Sequence, residues 1–215
     1  MNHEFWYLSR AAGFTAYLLL FASAVLGIAM STKLAARFKR GNFVFDLHRF
    51  VSILAMMFSF FHVYILLGDH YFSFSVWQLS APLASPYRTL ATALGVISLY
   101  AMVLIMGSFY VKRFIGYRTW RAIHFLTFAM YGSVTLHGVL AGTDTTAVWA
   151  RFIYASTGAA LLMMVAYRIN QSPRASDSAQ RARTIANGST AALGVAVALV
   201  GSGLTGSGLT ALIHG

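Results

Sequence analysis

The chain has 215 residues, of which 58% are hydrophobic and only 10% charged, with a mean hydropathy of +0.67. Soluble domains carry roughly 25% charged residues, so this composition excludes an ordinary soluble fold and points to a protein embedded in lipid. The net charge of +11 sits in short runs between apolar spans, which argues against nucleic acid as a partner. Zero cysteines exclude disulfides, thiolate metal sites and cysteine-held iron–sulfur clusters.

Taken in chain order, MNHEFWYLSR carries one acid and one base, unlike the basic start of a signal peptide, so the first helix is expected to be retained. Phe5, Trp6 and Tyr7 suit an interfacial belt. Ala11 to Met30 is long enough for a first span, and Phe43 to Leu67 forms a second. The aromatic and turn-rich segment that follows, with Pro82 and Pro86, reads as an interfacial loop. Thr89 to Phe109, Ala122 to Ala141 and Val148 to Tyr167 supply spans three to five. Residues 169–189 have the composition of a basic cytoplasmic linker, and 190–215 hold a Gly-rich sixth span. The expected fold is therefore an all-α, six-helix membrane bundle. Thirteen bases fall on one side of it, including Lys33, Arg37, Lys112 and Arg168, against Arg10, Arg88 and Arg151 on the other. The positive-inside rule then puts both termini outside.

Two spans carry paired histidines. His48 and His62 are fourteen residues apart and His124 and His137 thirteen, or roughly 21 and 19.5 Å along a helix. Ionisable residues inside a membrane span are expensive and mark function. Spans two and four run parallel in this topology, so His48 and His124 share an inner level and His62 and His137 an outer one. A single four-histidine metal site is excluded by the separation along each helix. Each pair can instead clamp one planar cofactor, and haem b held by two imidazoles suits an apolar slot best. One small metal ion per pair stays open, although no carboxylate supports it. Fourteen residues bring His48 and His62 to one helix face, but thirteen fall about 140° short of whole turns. Either a distortion near Gly132, Ser133 and Thr135 or approach from different sides must reconcile His124 with His137.

Haem propionates want cationic partners. Arg49 and Arg121 flank the inner histidines, and Arg10 and Arg88 sit at the outer rim. Phe58, Phe61, Phe125 and Phe128 are candidates to line the slots, with ordinary packing the competing reading. His3, His70 and His214 fall at the outer surface and read chiefly as solvated side chains.

Several stretches carry a resemblance: WYLSRAAGFTAYLLL, the LHRF around His48, the step of fourteen to His62, SPYRTLATALG, and GYRTWRAIH with its step of thirteen to His137. From Phe5 to Tyr167 the chain resembles a bacterial ferric reductase-like transmembrane domain. That superfamily includes the membrane halves of ferric reductases and NADPH oxidases and the haem-binding subunit of a periplasmic methionine sulfoxide reductase system. The resemblance implies two b haems, His48 with His124 on the inner and His62 with His137 on the outer, in a domain spanning 1–168 of the bacterial inner membrane. Electrons would move outward to ferric iron, oxygen or a periplasmic redox protein. The Gly-rich GSGLTGSGL lies in an apolar span and not at a strand-to-helix turn, so dinucleotide binding is not supported. The donor is expected to be a separate flavoprotein or quinol, and a non-covalently bound flavin or quinone stays open as a further cofactor. Two other functions compete: an anchoring subunit of a larger redox complex, and a histidine-dependent metal or proton transporter. The placement of all five acids at span ends or in loops counts against the transporter.

Overall fold

Lipid offers no water to an unpaired backbone amide, so apolar segments without proline satisfy their N–H and C=O groups internally, as helices. The three prolines, at 82, 86 and 173, all lie outside the long apolar runs. A computed structural model describes residues 4–32, 41–68, 73–171, 183–187 and 190. Five long helices follow from those runs: α1 (Glu4–Met30), α2 (Gly41–Leu67), α4 (Thr89–Tyr110), α5 (Lys112–Ala141) and α6 (Val148–Gln171), with a short α3 (Val76–Ser80) between α2 and α4. All five are long and apolar enough to cross a membrane. Apart from Thr190, the sixth span expected over 190–215 lies outside the described residues, as do His3, His70 and His214. The chain divides after Arg168 into two units. The bundle belongs to the first, and beyond Gln171 the second is described only as a helical stretch at 183–187 and residue 190.

α1 begins at Glu4, earlier than expected, so the Phe5, Trp6, Tyr7 cluster forms its first turn. Contacts of Ser9 with His62 and of Ser23 with His48 show α1 and α2 running antiparallel. Ala91 against His137 and Phe109 against Trp120 show the same for α4 and α5. The two hairpins meet around a core that includes Tyr17, Leu20, Ala24, Ile28, Ala55, Met102, Ile105, Met130, Tyr131 and Leu161. α6 joins it through Thr157, which accepts from Tyr17 Oη at 2.6 Å while donating to Ile153 O. Tyr131 Oη in turn donates to Tyr17 Oη at 2.9 Å. This leaves the three hydroxyls fully paired at mid-depth, as burial requires.

The loops close the end of the bundle nearer His62 and His137. Ser75 and Gln78 form a capping box on α3, and Tyr100 Oη of α4 donates to Ser80 O at 2.6 Å, tying that short helix down. A bend near Gly132 to Thr135 is not what the structure uses in α5. The only non-helical backbone inside α5 is Gly116, at φ 81° and ψ 160°, which precedes both histidines. A side chain there is sterically disfavoured, which is why glycine stands at the break.

Candidate functional site: two histidine-paired slots

Two clefts open within the first unit, with about 960 and 970 Å³ of empty space when their open mouths are included. The outer one is lined by His62 and His137 and the inner by His48 and His124. The depth pairing expected from the sequence is therefore what the helices build. The His62 and His137 ring centres are 6.5 Å apart with planes at 78°, and those of His48 and His124 are 6.4 Å apart at 77°. An imidazole nitrogen stands about 2.0–2.1 Å from a bound metal, and a ring centre lies roughly 1.1 Å further. Two imidazoles on opposite sides of one ion therefore have centres about 6.3 Å apart. Both pairs match that spacing.

Three of the four rings are held from behind. His62 Nδ1 donates to Ser9 O at 2.8 Å, His48 Nδ1 to Ser23 O at 2.9 Å, and His137 Nδ1 to Ala91 O at 2.7 Å. A carbonyl can only accept, so Nδ1 carries the proton and Nε2 keeps its lone pair, the tautomer that ligates a metal. Each carbonyl belongs to a helix interior, where one lone pair serves the residue four positions on and the second remains for the imidazole.

That fourth residue is a glycine every time: Gly13, Gly27 and Gly95. A Cβ on Gly13 would come within 3.1 Å of the His62 ring, on Gly27 within 3.4 Å of His48, and on Gly95 within 2.7 Å of His137. Serine adds a second contact on α1. Ser52 Oγ donates to His48 O at 2.7 Å, so Ser23 Oγ donates to Ser52 Oγ and has its lone pairs turned to His48 Nδ1 at 3.3 Å. Ser9 Oγ stands 3.2 Å from His62 Nδ1. The sequence reading missed these cradles. The available signal was Ser-x-x-x-Gly occurring twice in α1 at the same interval of fourteen that separates His48 from His62.

His124 differs. It has no ring hydrogen bond among the described residues and instead stacks on Trp120, with centres 5.3 Å apart and planes at 24°. With no distortion between His124 and His137, their different azimuths on α5 are met by approach from different sides: a carbonyl of α4 behind His137, an indole of α5 itself behind His124.

Of the four arginines, Arg10 and Arg49 line a slot, whereas Arg88 and Arg121 have other partners. Arg10 does line the outer slot, but it is held there by a bidentate ion pair with Asp144 and lies 4.1 Å over the Trp6 ring. Arg88 reaches away to Leu140 O and Gly142 O, satisfying the C-terminal carbonyls of α5. Arg49 lines the inner slot, whereas Arg121 binds Tyr117 Oη at 3.0 Å. Phe61, Phe125 and Phe128 are exposed on the outside of the bundle and Phe58 packs edge-on against Phe61, so none of the four lines a slot. No cluster of three or more His, Cys, Asp or Glu occurs among the described residues.

A family model described as Ferric reductase like transmembrane component matches residues 12–135, more than half of the chain. The chain belongs to the ferric reductase-like transmembrane family. The matched stretch of this ferric reductase-like domain contains His48, His62 and His124 and ends two residues before His137. Neither the comparison with curated proteins nor that with solved structures returned a match.

Proposed function

We propose that this ferric reductase-like domain is a dihaem b electron-transfer protein of the bacterial inner membrane. In this reading His48 and His124 hold one haem, and His62 and His137 the other. Electrons enter from a cytoplasmic flavoprotein or quinol and leave to an external acceptor such as ferric iron, oxygen or a periplasmic redox protein. The observation that carries it is the repetition of one imidazole spacing, 6.4 and 6.5 Å, at two depths of one bundle. Held by these histidines, haem would supply one-electron chemistry at iron.

The residues fit such a group. Each slot is an open cleft lined mostly by apolar side chains, among them Leu20, Ile53, Met102 and Ile105 in the inner one and Phe14, Leu66 and Val134 in the outer. The carbonyls of Ser9, Ser23 and Ala91 hold their imidazoles in the ligating tautomer and in fixed orientation, so little ordering is left to binding. Between the levels, the paired hydroxyls of Tyr17, Tyr131 and Thr157 fill the bundle and leave no unsatisfied group to recruit water. The thirteen-to-three partition of bases supports an inward-facing inner slot with the N-terminus outside.

The test is the reduced-minus-oxidised spectrum of purified protein together with its haem-to-chain ratio. Two b-type haems per chain are expected, falling to one in His62→Ala or His137→Ala. Absence of b-type bands from the wild type, or a ratio unchanged by both substitutions, overturns the reading.

A further inference from the structure

We propose that Trp120 is a binding residue of the inner slot: its indole face sets the His124 ring, and its Nε1–H donates to a carboxylate of the molecule held there. This rests on the haem reading, in which that carboxylate is a propionate. Trp120 lines the slot, and its Nε1 is sealed from solvent with no acceptor, the one buried side-chain polar atom left unpaired among the described residues. Buried donors in native proteins are almost always paired, and this one belongs to a side chain that lines the slot, so a small shift of the side chains covering it would present it to a ligand oxygen.

The surroundings favour an anion. Lys112 Nζ stands 4.2 Å over the Trp120 ring, and Arg49 lines the same cleft, whereas no Asp or Glu does. Lys112 and Trp120 are eight residues apart, about 12 Å along an unbroken helix. The break at Gly116 lies between the two, and the ammonium reaches the indole across it.

The stacking half follows from what α4 lacks at this depth. His137 uses Ala91 O and the space over Gly95. Thirteen or fourteen residues further along α4 stand Ser108 and Phe109. Ser108 Oγ is committed to Ile105 O at 2.6 Å, and Phe109 packs on Trp120 with ring centres 6.4 Å apart. Gly107 stands beside Ser108, but no side chain lies within 4 Å of the space over it, and an indole lying 24° from the imidazole plane takes over the orienting role.

Detergent-purified holoprotein mixed with excess apomyoglobin reports haem release from each level, the two phases being assigned with His137→Ala. Trp120→Phe keeps a stacking face and removes the N–H; its inner phase should be at least about 10-fold faster with the outer phase unchanged, within the range for losing a ligand's supporting contact. Trp120→Leu should accelerate it further. As a check independent of folding, wild-type chain loaded with haem dimethyl ester should release its inner group as fast as Trp120→Phe releases haem, and combining the two should add nothing. An inner phase unchanged in Trp120→Phe overturns the donor role, and Trp120→Leu no faster than Trp120→Phe overturns the stacking role. Wild type purified without haem overturns the electron-transfer reading itself, whereas two haems indifferent to Trp120 overturn this assignment alone.

Discussion

The outer and inner slots share a size and an imidazole spacing but are held together by different means. Around the outer slot both rings rest on helix carbonyls over glycines, and the mouth is pinned by the Arg10 and Asp144 ion pair. Around the inner slot one ring rests on a carbonyl and the other on an indole, and the nearby charges are cationic with no acid on the wall. The comparison teaches that the same ligand geometry can be reached through backbone or through side chain. The backbone version leaves far less room for substitution, because a carbonyl and a missing Cβ cannot be repacked.

The largest effect that sharpens this contrast is expected from the glycines. Gly95→Ala places a methyl 2.7 Å from the His137 ring and should weaken retention of the outer group by about 100-fold, read as haem lost on dilution. Gly13→Ala, at 3.1 Å from His62, should cost about 10-fold, and Gly27→Ala, at an ordinary 3.4 Å from His48, should stay within about 2-fold. Equal losses in all three would break the cradle argument. Asp144→Asn leaves the Arg10 guanidinium at the outer rim without its counter-charge and should lower stability by about 2 kcal/mol in thermal melts, with outer haem lost before inner. Tyr17→Phe removes the acceptor of Tyr131 Oη and should cost about 1 kcal/mol, affecting both levels alike because the hydroxyl chain lies between them. Ser9→Ala and Ser23→Ala should change retention by less than about 2-fold, since the carbonyl bonds survive. A larger loss would move the orienting role from backbone to hydroxyl.

Much of the five-span architecture was legible because apolar runs bounded by arginine and lysine report span length directly, and the pairing of four histidines by depth followed from their spacing once the span order made the two helices parallel. The fate of the arginines was not. Arg10 and Asp144 are 134 residues apart, and nothing local tells that the two meet. The phase mismatch between His124 and His137 was visible, but its resolution was not: a helix period gives azimuth, not which neighbouring carbonyl lies within reach. The two cradles of α1 were written in the sequence as Ser-x-x-x-Gly, yet small residues in a membrane helix ordinarily signal close helix packing, so their second meaning emerged only once a histidine was seen against each.

The matched interval of fourteen in α1 and α2 makes that hairpin a gauge with two jaws cut from the same pair of bars. Deleting one residue between His48 and His62 turns one ring by about 100° relative to the other, so at most one of them can still meet its serine. Neither jaw can be reset without misaligning its twin, which leaves the depth separating the two levels as a dimension that point substitutions can damage but not adjust.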